Sequence, residues 1–114
     1  MRYLLKLTLL LIITSGFFVK QTVAVDLQAG KEKVEGVCAG CHGKDGVTAI
    51  LPSYPILAGQ HEDYLSQALY DYKTGARKNA VMTGIASTLT KEDIINISAY
   101  FATMPSPLHL KVRE

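Results

Sequence analysis

Apolar side chains fall into one dense run followed by three stripes at helical spacing. The run extends from Leu7 to Val19. Past it, Leu27, Val34 and Val37 recur behind Asp26, whose carboxylate suits an N-cap, and predict a helix reaching about Cys38. From 42 to 59 the stripe lapses, and Gly43, Gly46, Pro52, Pro55 and Gly59 predict a loop. Tyr64, Leu65, Ala68, Leu69 and Tyr72 restore the helical period and predict a second helix over about Gln60 to Lys73. Glu62 and Asp63 favour its N-terminal end, and Gly75 stops it. A third helix is predicted from Thr90, where Thr90-Lys91-Glu92-Asp93 reads as a capping box with Asp for Glu. Ile94, Ile97, Phe101 and Met104 follow, and Pro105 ends the pattern. The segment around Asn79 to Gly84 reads as loop. No stretch alternates with a strand's period, so the predicted class is all-α.

The N-terminal run has a different meaning. Arg2 and Lys6 precede it, Lys20-Gln21 closes it, and Thr22-Val23-Ala24 places small side chains where a signal peptidase cuts. At 13 residues it falls short of the roughly 20 a membrane span needs. The expected organisation is a secretory signal peptide over 1–24, cleaved after Ala24, a domain over 25–104 and a tail over 105–114. The expected mature chain is exported to the periplasm and has no membrane span. Removal of Arg2, Lys6 and Lys20 changes the charge balance. The 114 residues carry 12 Lys+Arg against 10 Asp+Glu, whereas from Val25 onward 9 bases face 10 acids. A near-neutral domain of this kind lacks the basic field of a nucleic-acid binder.

The candidate chemistry lies at Cys38-Ala39-Gly40-Cys41-His42, which contains both cysteines of the chain. Cys-x-x-Cys-His is the attachment signature of c-type haem. Two thiols three residues apart on a helical turn can each add across a vinyl group of one porphyrin, and the following histidine is brought beneath the ring to bind iron. Ala39 and Gly40 leave room for the macrocycle. Three other uses of these residues stay open at this point. They are a Cys38–Cys41 disulfide, permitted by export, a redox-active dithiol, and a zinc site using Cys38, Cys41, His42 and His61.

Iron held by His42 needs a sixth ligand or has an open face. Met82, Met104, His61 and His109 are the candidates. Met104 belongs to the apolar stripe of the third helix, His61 to the first turn of the second, and His109 to the tail. Met82 is the expected ligand, giving the Met/His pair associated with electron transfer.

The ordered set of motifs resembles the class I c-type cytochromes of bacteria, of the single-haem periplasmic type and like one half of the two-haem members. The resemblance spans nearly all of residues 30 to 104. It rests on Cys38-Ala39-Gly40-Cys41-His42-Gly43-Lys44-Asp45-Gly46, Pro55-Ile56-Leu57-Ala58-Gly59-Gln60 and Tyr64-Leu65. It continues through Lys73-Thr74-Gly75-Ala76-Arg77, the Met82 segment, Leu89-Thr90-Lys91-Glu92-Asp93-Ile94 and Ala99-Tyr100-Phe101. It implies a cytochrome c fold, with three main helices and loops wrapped around one thioether-linked haem c. It further implies that the Pro55 carbonyl accepts a hydrogen bond from His42 and that the first and last helices cross closely, with Gly36 as the expected point of approach. The single Cys-x-x-Cys-His implies one haem per chain.

The expected function is one-electron transfer between redox partner proteins, with no catalysis of bond chemistry, by a monomer or a subunit of a redox complex. The binding set is Cys38, Cys41, His42, Met82 and Pro55, with His42 and Met82 as the iron ligands. Lys44, Lys73, Arg77 and Lys78 are expected either as a positive rim for an acidic partner or as a plain solvated face, with Arg77 a candidate for a haem propionate. The alternatives are an electron-transfer subunit of a larger dehydrogenase or oxidase, or a haem enzyme or sensor with an open iron.

Overall fold

The computed structural model describes residues 23–108. Most of the expected signal peptide and the end of the tail, His109 included, lie outside the described residues. Helix α1 (Leu27–Lys33) runs on through a π-helical turn (Val34–Cys38) into α2 (Ala39–His42). A long irregular segment then leads to α3 (Glu62–Thr74), α4 (Ala80–Ser87) and α5 (Lys91–Thr103). All regular structure among the described residues is helical, and no helix among them is long and apolar enough to cross a membrane.

Capping explains where the helices start. The Asp26 carboxylate accepts from the N–H groups of Gln28 and Ala29, both at 2.9 Å. Both halves of the Thr90/Asp93 box are formed: the Asp93 N–H donates to Thr90 Oγ1 at 3.0 Å, and the Thr90 N–H donates to Asp93 Oδ2 at 2.9 Å. Gly75 ends α3 in the left-handed conformation, with φ of 81°.

Helices α1 and α5 cross at the heart of the molecule. The Asp26 N–H donates to Asn96 Oδ1 at 2.9 Å, and Lys33 pairs with Asp93 at 3.2 Å. The point of closest approach is Gly30, not Gly36. A Cβ on Gly30 would overlap the Asn96 carbonyl, whereas one on Gly36 would meet nothing within 4 Å. Gly30 lies on the face of α1 turned toward α5, and Gly36 lies on the exposed side. Around this crossing Val34, Leu65, Leu89, Ile94, Ile97 and Phe101 form the buried core.

Two further features depart from the sequence reading. The first helix continues past Cys38 to His42 by way of the wide π turn, in which the Ala39 N–H reaches back to the Val34 carbonyl. Single π turns of this kind are frequent at functional sites. The segment around Met82, expected as loop, is the helix α4. Its N-cap is Asn79, whose side chain accepts from the Met82 N–H at 3.0 Å.

The segment between α2 and α3 is irregular, as its glycines and prolines predicted, yet it is tied to the core. The Gly46 carbonyl accepts from the N–H groups of Leu57 and Ala58, at 2.8 and 3.1 Å, and the Gly59 N–H donates to the Phe101 carbonyl at 2.9 Å. Gly46 has φ of 65° and lies against Ala58 and the Phe101 ring, so a side chain there meets both a backbone and a steric conflict.

Candidate functional site

The π turn and α2 carry Cys38, Cys41 and His42 to the wall of a cavity of about 440 Å³. Pro55, from the irregular segment, and Met82, from α4, line the same cavity. All five residues singled out by the sequence are thus brought to one place. The remaining wall is largely apolar, with Leu57, Leu65, Leu69, Ile85, Ile97 and Phe101 contributed by several elements. A larger hollow of about 810 Å³ between α3 and α5 is shallow, has charged residues along it and holds no Cys, His or Met side chain. The donor chemistry lies entirely in the smaller cavity.

His42 is buried, and its Nδ1 lies 3.2 Å from the Pro55 carbonyl oxygen. A carbonyl only accepts, so Nδ1 carries the hydrogen and donates it. In the neutral ring Nε2 then keeps its lone pair, the form in which imidazole binds a metal. Proline supplies this carbonyl from a backbone with fixed φ. The Tyr54 ring sits beside the imidazole, with centroids 5.8 Å apart.

The two cysteines are free and half-buried. Burial pushes the Cys38 thiol up to about 11. A redox dithiol or a zinc site works through thiolates, and this environment disfavours that form. Among the described residues no three His, Cys, Asp or Glu side chains are placed to hold a metal ion, so the tetrad with His61 does not assemble. His61 is exposed at the start of α3. Met104 lies off the cavity and packs against the core. A flat, apolar macrocycle held by two thioethers, an imidazole and a methionine sulfur matches what the cavity offers: soft or borderline donors, apolar walls and a tautomer-fixed histidine.

The four cations of the expected rim or solvated face are placed differently with respect to this cavity. Of Lys44, Lys73, Arg77 and Lys78, only Arg77 lines it. Its guanidinium lies 4.9 Å over the Tyr72 ring, and the Tyr64 hydroxyl raises its pKa further, so it stays charged. Lys73 points elsewhere and donates to backbone carbonyls of residues 87 and 89. Sequence reasoning missed Tyr54, for which no signal exists in the chain. It also missed Asn79, whose place just ahead of Ala80-Val81-Met82 is a recognisable N-cap signal.

The cytochrome c family model matches residues 27–105. Cytochrome c4 of Thiocapsa roseopersicina is 44% identical over 80 residues, covering 70% of this chain and 41% of that protein. Cytochrome c-554(548) of Halomonas halodenitrificans is 42% identical over 83 residues, covering 70% of this chain and 98% of that protein. The crystal structure of reduced recombinant cytochrome c4 from Pseudomonas stutzeri superposes with a TM-score of 0.61 at 33% identity, over 69% of this chain and 48% of that one. The chain therefore spans about half the length of the cytochrome c4 relatives it matches. A haem c bound covalently is the family's cofactor, and the cavity with its Cys-x-x-Cys-His wall fits it. With the family model matched across residues 27–105, this chain belongs to the cytochrome c family.

Proposed function

We propose that this chain is a periplasmic one-electron carrier in which Cys38 and Cys41 hold the haem and His42 and Met82 ligate its iron. The observation that carries the reading is the convergence of these four side chains, from three elements, on one cavity. When bound, haem c supplies reversible one-electron exchange between ferrous and ferric iron. The protein's residues do the rest. Cys38 and Cys41 tether one edge of the porphyrin. Pro55 fixes the tautomer and orientation of His42 and raises its basicity. Met82 offers a weak thioether donor, which favours the ferrous state. The apolar walls exclude water. Arg77 is the charged residue of the wall suited to a porphyrin carboxylate. With His42 and Met82 both holding the iron, the haem would keep no open position for bond chemistry. It would exchange electrons with partner proteins at the cavity mouth, near which Val81 and Tyr64 are exposed.

Substitution of Met82 and Met104 tests the ligand assignment. Met82→Ala is expected to abolish the near-infrared thioether band and to open ferrous haem to carbon monoxide. Met104→Ala is expected to keep the band. Met104 is only half-buried, so its loss should cost about 1–3 kcal/mol, below the range for a fully buried methionine. The reverse pattern would hand the ligand role to Met104. A wild-type protein that is already five-coordinate would contradict the carrier reading.

A further inference from the structure

We infer that Lys73 is a positioning residue: from α3 it clasps the C-terminal end of α4 and so holds the Met82 sulfur in place. The inference rests on the ligation by Met82 proposed above.

Helix α4 has 8 residues, well below the length at which an isolated helix is stable. Packing holds its C-terminal side through buried Ala86 and the core residue Leu89 just past its end, whereas Val81 beside Met82 is 60% exposed. Its N-terminal end is set by the Asn79 cap on the Met82 N–H. The carbonyls of its last turn need partners too. The chain close by satisfies three of them: Ser87 Oγ donates to the Gly84 carbonyl at 2.7 Å, Thr88 Oγ1 to that of Ile85 at 2.8 Å, and the Leu89 N–H to that of Ala86 at 3.2 Å. The next carbonyl, that of Ser87, accepts from Lys73 Nζ at 3.2 Å, and the same ammonium donates to the Leu89 carbonyl at 2.6 Å. Among the described residues, Lys73 is the only side chain of α3 that hydrogen-bonds to segment 79–89. A positive charge there also meets the negative end of the α4 dipole. A helix of this length is a rod of about 12 Å. Losing the Lys73 contacts removes the tie from α3 to its C-terminal end and gives the helix more play, with Met82 in its first turn.

The test uses the haem-loaded protein, with Lys73→Met to remove the donor, Lys73→Arg to restore it, and Lys91→Met as a control of equal charge. Two readouts are followed: the rate at which ferrous protein binds carbon monoxide, which requires the thioether to leave, and the near-infrared thioether band. With the band present in wild type, Lys73→Met should bind carbon monoxide about three- to tenfold faster, the scale of one partly exposed hydrogen bond. Lys73→Arg should return to within about twofold of wild type, and Lys91→Met should not change. An unchanged carbon monoxide rate in Lys73→Met, with or without a lower melting temperature, makes Lys73 an ordinary structural contact and overturns the inference while leaving Met82 as ligand. A wild-type protein with no thioether band overturns both.

Discussion

At the scale of single residues, the site depends on groups whose states are fixed by neighbouring backbone. His42 is held as a metal-binding tautomer by one carbonyl, that of Pro55. Three residues further on, Asp45 organises the turn that follows. Its carboxylate accepts from the Val47 N–H at 2.9 Å, the Thr48 N–H at 2.8 Å and the Thr48 hydroxyl at 2.7 Å. The Thr48 backbone N–H is the largest cause, followed by the Thr48 hydroxyl and the Val47 N–H, that lowers its pKa from 3.8 to about 2. A pKa lower in the folded state than in the unfolded one adds stability above the unfolded value, and that stability fades as pH falls toward the folded value. The turn should therefore loosen between about pH 4 and pH 2. An NMR titration of the Asp45 carboxyl should show the low midpoint. Asp45→Asn should flatten the pH dependence of amide exchange at Val47 and Thr48 in that window, and a midpoint near 4 would refute the assignment. Of this chemistry, the Cys38-x-x-Cys41-His42 motif was legible in the sequence because spacing and residue type mark it, and Met82, chosen there among four candidates, lines the same cavity. Tyr54 was not, since a loop tyrosine acquires its place beside His42 only through the fold.

At the scale of elements, the helices that carry strong caps and stripes were legible, and those that depend on tertiary partners were less so. Thr90 with Asp93, and Gly75 after α3, mark their ends in plain local chemistry. Helix α4 is short and contains Thr83 and Gly84; Asn79 caps its start, and Lys73 from α3 donates to carbonyls at and just past its end. The crossing glycine could not be chosen from sequence either, because Gly30 and Gly36 lie on the same predicted helix and only the position of α5 separates them. Substitution should separate them as well. Gly30→Ala forces a Cβ against the Asn96 backbone carbonyl, which cannot yield as a side chain can, and should destabilise the protein by about 1–3 kcal/mol or more despite alanine's better helix propensity. Gly36→Ala meets open space and should be neutral or stabilising, by up to about 1 kcal/mol. Denaturant unfolding of the two variants measures both, and equal effects would contradict the crossing as described.

At the scale of the whole molecule, the fold is a thin frame around a hollow. The buried core is a small cluster at the α1–α5 crossing and the inner edge of α3. Core residues such as Leu65, Ile97 and Phe101 also face the cavity. A domain of this size has little apolar burial to spare. A haem seated there would be part of the core as well as the redox centre of the proposed carrier. That the cavity would unite residues from the π turn, the irregular segment and α4 followed from no single stretch of sequence. It followed from the order of the motifs taken together with the family they resemble. Cys38 and Cys41 together are expected to carry one haem, and mass spectrometry of a proteolytic digest of the purified, coloured protein checks this. The peptide containing Cys38-Ala39-Gly40-Cys41-His42 should be heavier by one haem, the haem should survive acidified organic solvent, and no free thiol should be left on either cysteine. An unmodified peptide, with the haem extracted into the solvent, would contradict it.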